Sequence, residues 1–108
     1  MRRRIIRLSV FALLTSSAAA QSGLEPAAQR GLTLARTHCA RCHSIDRVTA
    51  SSLAIAPPFR TLHKKYPVEN LEEALAEGIS TGHPTMPEFR FDPGQVNDFI
   101  SFLKSLER

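Results

Sequence analysis

Residues 39–43 read Cys-Ala-Arg-Cys-His, and the 108-residue chain holds no other cysteine. Nothing else constrains the fold so sharply. Two thiols three residues apart near the end of a helix can reach both vinyl groups of one porphyrin. The histidine that follows is then carried under the ring, where its imidazole can bind the iron; C-x-x-C-H is accordingly the attachment pattern of a c-type haem. Cys39 and Cys42 are the candidate thioether-forming residues, and His43 the candidate axial ligand. Two other chemistries use paired cysteines. A thioredoxin-like disulfide wants a βαβ context, for which the chain shows no alternating apolar pattern. A structural zinc site wants four ligands, and no second pair exists. A disulfide-dense secreted scaffold is excluded by the cysteine count, and a multidomain enzyme by the length.

The formal charge of +4 is concentrated at the beginning. Residues 1–20 carry four arginines (Arg2, Arg3, Arg4 and Arg7) and no acid, whereas residues 21–108 carry ten basic and ten acidic residues. The basic start, the apolar run Leu8–Leu14 and the small residues Ala18-Ala19-Ala20 form the pattern of a cleavable secretory signal. The apolar run is far short of the roughly 20 residues that span a bilayer, so no stable membrane insertion is expected once 1–20 are removed. Residues 21–108 then make a single domain. Its charge is balanced and no basic stripe interleaved with aromatics remains, which argues against nucleic-acid binding.

Punctuation in the mature chain predicts helices and no sheet. One runs from about Glu25 to Thr37, with Pro26 in its first turn and Leu24, Ala28, Leu32 and Ala35 at helical spacing. A shorter one spans Pro58–Lys65, with Phe59 and Leu62 on one face. Asn70 is the expected N-cap of another, with Glu73 as its capping-box partner, Leu71, Ala74 and Leu75 as its apolar stripe, and Gly78 ending it. The last is the best punctuated: Asp92 caps, Pro93 follows, Gln95 closes the box, and Val96, Phe99, Ile100, Leu103 and Leu106 make the stripe. Between these lie the long loops Val48–Pro57 and Ser80–Phe91. Loops of that length in so small a domain signal disorder or a functional site. The expected architecture is all-α, three to four short helices with long loops wrapped around a bulky apolar group.

The mature chain has one methionine, Met86, in the stretch Gly82-His83-Pro84-Thr85-Met86-Pro87. It lies in a proline-stiffened loop rather than on a helix stripe, which favours a role as the second axial ligand over core filler. A thioether paired with an imidazole raises a haem's potential. His83 is the rival ligand and would give a bis-histidine iron of lower potential.

Over nearly all of its mature length the chain resembles the class I c-type cytochromes of the small monohaem bacterial periplasmic kind. Gly31, eight residues before Cys39, matches the close-packing glycine of the family's N-terminal helix, and Phe102 matches the aromatic of its C-terminal helix. The resemblance implies that these two helices cross there. Met86-Pro87 matches the family's ligand loop. Pro57 or Pro58 matches the proline whose carbonyl accepts from the axial imidazole's other nitrogen. Two positions depart from the pattern: Ala35 stands where an aromatic is frequent, and no tryptophan is present to hold a haem propionate. Tyr66, Thr85, Arg60 and His63 are the candidates for that task.

An iron with both axial positions filled, by His43 and Met86, has no open site for a substrate. The resemblance and the ligand set imply a soluble periplasmic electron carrier, not an enzyme, with one covalent haem c. Its expected partners are a dehydrogenase donor and an oxidase or reductase acceptor. The alternatives are the haem subunit of a larger periplasmic dehydrogenase, which shares the same site, and a gas-binding or sensor haem protein, which needs a labile axial ligand. Residues 21–66 carry seven basic and two acidic residues, and residues 67–108 three basic and eight acidic. That split becomes a dipole able to orient partner encounter only if the halves separate in space; otherwise Glu72, Glu73 and Glu77 are simply a solvated helix face.

Overall fold

A computed structural model describes residues 23–80 and 85–108. Three α-helices, α1 (Pro26–His38), α2 (Glu72–Glu77) and α3 (Pro93–Ser105), are joined by long connections that contain two 3-10 helices, Phe59–Lys64 and Val68–Leu71. No strand occurs among the described residues, so the fold is all-α as expected. The signal segment 1–20 and His83 lie outside the described residues.

The frame is the crossing of α1 and α3, whose buried faces are Ala28, Gly31 and Ala35 on one side and Val96, Phe99, Ile100, Phe102 and Leu103 on the other. Gly31 permits it. A Cβ at that position would collide with the Asp98 carbonyl oxygen and come within 2.6 Å of the Phe102 Cβ. The contact that the family resemblance implied is therefore present, and only a residue without a side chain allows the backbones so close. Arg30, one residue earlier, spans the same crossing, donating from Nε and Nη2 to the two Asp98 carboxylate oxygens at 2.9 Å each.

Both ends of α3 follow from local chemistry. Asp92 Oδ1 accepts from the Gln95 amide at 2.8 Å, and Gln95 Oε1 accepts from the Asp92 amide at 3.0 Å, closing the expected capping box around Pro93. At the other end Arg47 donates to the carbonyl of Ser105, the last residue of α3, and to that of Arg108 beyond it.

The expectation of an Asn70 cap is corrected. Pro67 instead starts the 3-10 helix Val68–Leu71, which buries Val68 and runs straight into α2, and Leu71 precedes α2 without a side-chain cap. The proline's fixed φ had already turned the chain three residues before Asn70. Gly78 does end α2, in a left-handed conformation (φ 117°) that favours glycine.

Candidate haem site

Helix α1 delivers the Cys39–His43 motif. Its last turn closes on Cys39, whose amide donates to the Ala35 carbonyl at 2.9 Å; the Cys42 and His43 amides then donate to the Cys39 carbonyl at 3.1 and 3.0 Å. A tight turn thus holds both cysteines and the histidine on one short arc at the helix end. The two thiols are free of each other, Cys39 buried and Cys42 half-buried. Burial pushes the Cys39 thiol up to about 12, so in the apoprotein it is protonated rather than a reactive thiolate. The described residues form helices and no strand, so neither cysteine has the βαβ context of the redox-disulfide reading. No cluster of three or more His, Cys, Asp or Glu suited to a metal occurs among the described residues.

The His43 ring is fixed on two sides. Nδ1 donates to the Pro57 carbonyl at 2.8 Å, so of Pro57 and Pro58 it is Pro57 whose carbonyl accepts from this ring. The ring packs on Phe59 at 4.8 Å between centroids. With Nδ1 committed as a donor, Nε2 is the nitrogen with a lone pair to give a metal. Phe59 continues the contact inward: it meets Phe99 edge-on at 5.8 Å, and Phe99 meets Phe91 at 5.5 Å.

Met86 is half-buried at the start of a strap, residues 85–91. Two backbone bonds tie the strap to the end of α2, Phe91 N–H to the Leu75 carbonyl at 2.8 Å and Ile79 N–H to the Phe89 carbonyl at 3.3 Å. Aromatic contacts tie it to α1, where the His38 ring stacks on Phe89 at 6.1 Å and meets Phe91 edge-on at 5.6 Å. His38 was missed as a structural residue because its partners lie some fifty positions away. Ala35, where an aromatic was looked for, is wholly buried in the core.

The loop after the motif is a built structure rather than slack. Asp46 Oδ1 accepts from the amides of Val48 (2.8 Å) and Thr49 (2.7 Å), and Oδ2 from the Thr49 hydroxyl (2.6 Å). These bonds, with Arg60 nearby, hold the Asp46 carboxyl down to about 2. Arg60 Nη1 donates to the Thr49 carbonyl at 2.7 Å and to Ser44 Oγ at 3.2 Å. The loop is stitched back to the motif by Leu53 N–H to the Cys42 carbonyl (3.1 Å) and Phe59 N–H to the Ser44 carbonyl (3.0 Å).

Of the residues considered for a propionate, Arg60 is therefore engaged with loop 44–49. His63 lines a cleft with Arg47, Arg60, Lys64 and the residues after α3, Glu107 among them, and its buried Nδ1 has no hydrogen-bond partner among the described residues. Tyr66 is half-buried against the core, which raises its hydroxyl pKa. Thr85 is exposed beside Met86.

A covalently attached haem fits these residues. Two free thiols and an imidazole with one nitrogen already spoken for stand at one helix end, beside a core of aromatic and aliphatic side chains. Comparison with known proteins agrees. A family model described as Cytochrome c matches residues 28–107. The chain is 28% identical over 94 residues to the cytochrome c-552 of Bradyrhizobium diazoefficiens, an alignment covering 87% of this chain and 88% of that one. No solved structure matches significantly.

Proposed function

The chain belongs to the cytochrome c family, and on that premise we propose that it is a periplasmic electron carrier whose haem iron is held between His43 and Met86. A haem c, bound covalently, is the cofactor, and electron transfer rather than catalysis is the activity. When bound, the haem supplies a single iron that alternates between ferrous and ferric. The rest of the work falls to the chain. Cys39 and Cys42 would form the two thioethers, keeping the haem through repeated partner encounters. His43 would hold the iron through Nε2, and Met86 through its sulfur from the strap. The observation that carries this reading is the 2.8 Å bond from His43 Nδ1 to the Pro57 carbonyl: it fixes the tautomer and the ring plane that axial ligation requires and strengthens the nitrogen as a donor. An imidazole–thioether pair sets a positive potential.

Residues 1–20 are read as an export signal removed on secretion. No helix among the described residues is long and apolar enough to cross a membrane. Redox proteins are the partners.

The test is an optical spectrum of the protein secreted from a host with haem-attachment machinery, first ferric and then ferrous. A sharp low-spin ferrous α band with the weak long-wavelength ferric band of an iron–thioether bond is the expected result. A low-spin spectrum without that band would move the ligand role to His83, and a high-spin ferrous form that takes up carbon monoxide would favour gas binding. Size exclusion of material from the native source separates a free carrier, which runs as a small monomer, from a permanent subunit.

A further inference from the structure

The strap that carries Met86 is fastened differently on its two sides. Its backbone bonds, from the Phe91 amide to the Leu75 carbonyl and from the Ile79 amide to the Phe89 carbonyl, both run to the end of α2. Toward α1 it is held by rings. His38 stacks on Phe89 with ring planes 24° apart and meets Phe91 at 61°, at centroid distances of 6.1 and 5.6 Å. Phe89 and Phe91 in turn lie 5.3 Å apart, so the three rings form one cluster. Phe91 is buried and passes the contact on to Phe99 of α3.

The place of His38 in the chain gives this cluster a consequence for ligation. It is the last residue of α1 and directly precedes Cys39, whose amide closes the helix on the Ala35 carbonyl. Its ring therefore rides on the same helix end that presents the two thiols. Phe89 follows Met86 by three residues, so whatever holds Phe89 limits how far Met86 can travel. His38 is itself exposed, and filling the core does not account for the two phenyl contacts its ring makes.

Resting on the reading of Met86 as an axial ligand, we propose that His38 is a positioning residue for that ligand: its ring clasps Phe89 and Phe91 and holds the Met86 strap against the helix end that bears Cys39 and Cys42. Thioether attachment would fix the haem to that end of α1, and the clasp fixes the strap to it as well. A small external ligand can take the place of the sulfur only when the strap opens. Its apparent affinity is therefore reduced by the fraction of molecules that are open. His38 acts on that fraction through contacts of the kind that stabilise aromatic pairs beyond simple burial.

The test is an imidazole titration of the ferric holoprotein, parent against His38→Ala, His38→Phe and Asp98→Asn. Because His38 is exposed and ends its helix, His38→Ala leaves the content of attached haem, read as the pyridine haemochrome, as in the parent. It is expected to lower the half-saturating imidazole concentration roughly tenfold, the scale of two aromatic contacts. His38→Phe keeps a ring without the nitrogens and should restore the parent value. Asp98→Asn loosens the α1–α3 crossing at Arg30 instead and should leave the imidazole curve in place. Amide hydrogen exchange at Ile79 and Phe91, the donors of the two strap bonds, should quicken in His38→Ala. A His38→Ala protein that titrates like the parent overturns the proposal. So does His38→Phe titrating like His38→Ala, which would assign the effect to a ring nitrogen. An equal shift in Asp98→Asn also overturns it, as a general loosening of the fold. Met86→Ala checks the underlying reading: an imidazole curve unchanged by that substitution refutes Met86 as the ligand, while exchange at Ile79 and Phe91 still decides whether His38 holds the strap.

Discussion

Gly31 and Phe102 meet where a single added methyl group would strike backbone. A Cβ on Gly31 would lie 2.6 Å from the Phe102 Cβ and overlap the Asp98 carbonyl oxygen. A carbonyl in the middle of a helix cannot rotate away, so the helices themselves would have to separate. Gly31→Ala is therefore expected to destabilise the protein by about 1–3 kcal/mol, and to lower the thermal midpoint by several degrees for each kcal/mol in a domain this small. The helix-propensity gain of alanine over glycine, about 1 kcal/mol, offsets only part of this. Differential scanning calorimetry of parent and variant measures it; an unchanged or raised midpoint would mean that the crossing is looser than the backbone positions require.

Replacing Met86 tests the second axial ligand. Met86→Ala removes the thioether but leaves Phe89 and Phe91 to anchor the strap through the Leu75 and Ile79 bonds. The haem should remain attached, the long-wavelength ferric band should vanish, and the ferrous form should take up carbon monoxide at neutral pH. His83→Ala should leave all three properties as in the parent. Exclusion of carbon monoxide by Met86→Ala, together with its uptake by His83→Ala, would reverse the assignment.

Single cysteine variants separate attachment from ligation. With Cys39→Ala one vinyl group stays unreacted and conjugated with the ring, so the pyridine haemochrome α band should move to longer wavelength and the yield of attached haem should fall. Cys42→Ala should do the same. His43 keeps its Pro57 bond in both, because the tether to that carbonyl belongs to residue 57 and not to either thiol. Any holoprotein recovered should therefore retain a low-spin spectrum.

How far the sequence could be read depended on whether a feature was local. The Asp92–Gln95 box and Pro93 announced α3 because a cap is made within four residues, and Cys39–His43 announced the haem motif for the same reason. The Asn70 cap failed because Pro67 had already set the backbone on another course, a competition between two local signals that only the folded chain decides. Arg30–Asp98 bridges 68 positions, and His38 finds Phe89 and Phe91 only after the strap has folded back. Knowing that α1 and α3 cross at Gly31 would have brought Arg30 within reach of Asp98, but that crossing came from family resemblance and not from periodicity. The loop Val48–Pro57 reads, from sequence, as a long connection that signals disorder or a functional site. Its rigidity was not read, because the bonds that create it run from Asp46 and Arg60 side chains to backbone groups that no pattern of hydrophobicity records.

The Asp46 turn gives the loop a pH dependence of known sign. Three bonds to its carboxylate, from the Thr49 hydroxyl and the Thr49 and Val48 amides, hold its pKa down to about 2 in the folded protein, against roughly 3.9 in an unfolded chain. A group depressed on folding contributes stability that is fully present above the unfolded value and is lost as the pH falls through the folded one. The loop should therefore be indifferent to pH between 5 and 8 and loosen between about pH 4 and 2. Amide hydrogen exchange at Val48 and Thr49, whose N–H groups donate to Asp46, reports it directly after correction for the intrinsic pH dependence of exchange. Asp46→Asn retains one acceptor oxygen but no charge, so it should exchange faster at neutral pH and show no further loss on acidification over that window. Protection that persists unchanged down to pH 2 in the parent would show that Arg60, through its bond to the Thr49 carbonyl, holds the turn without the carboxylate.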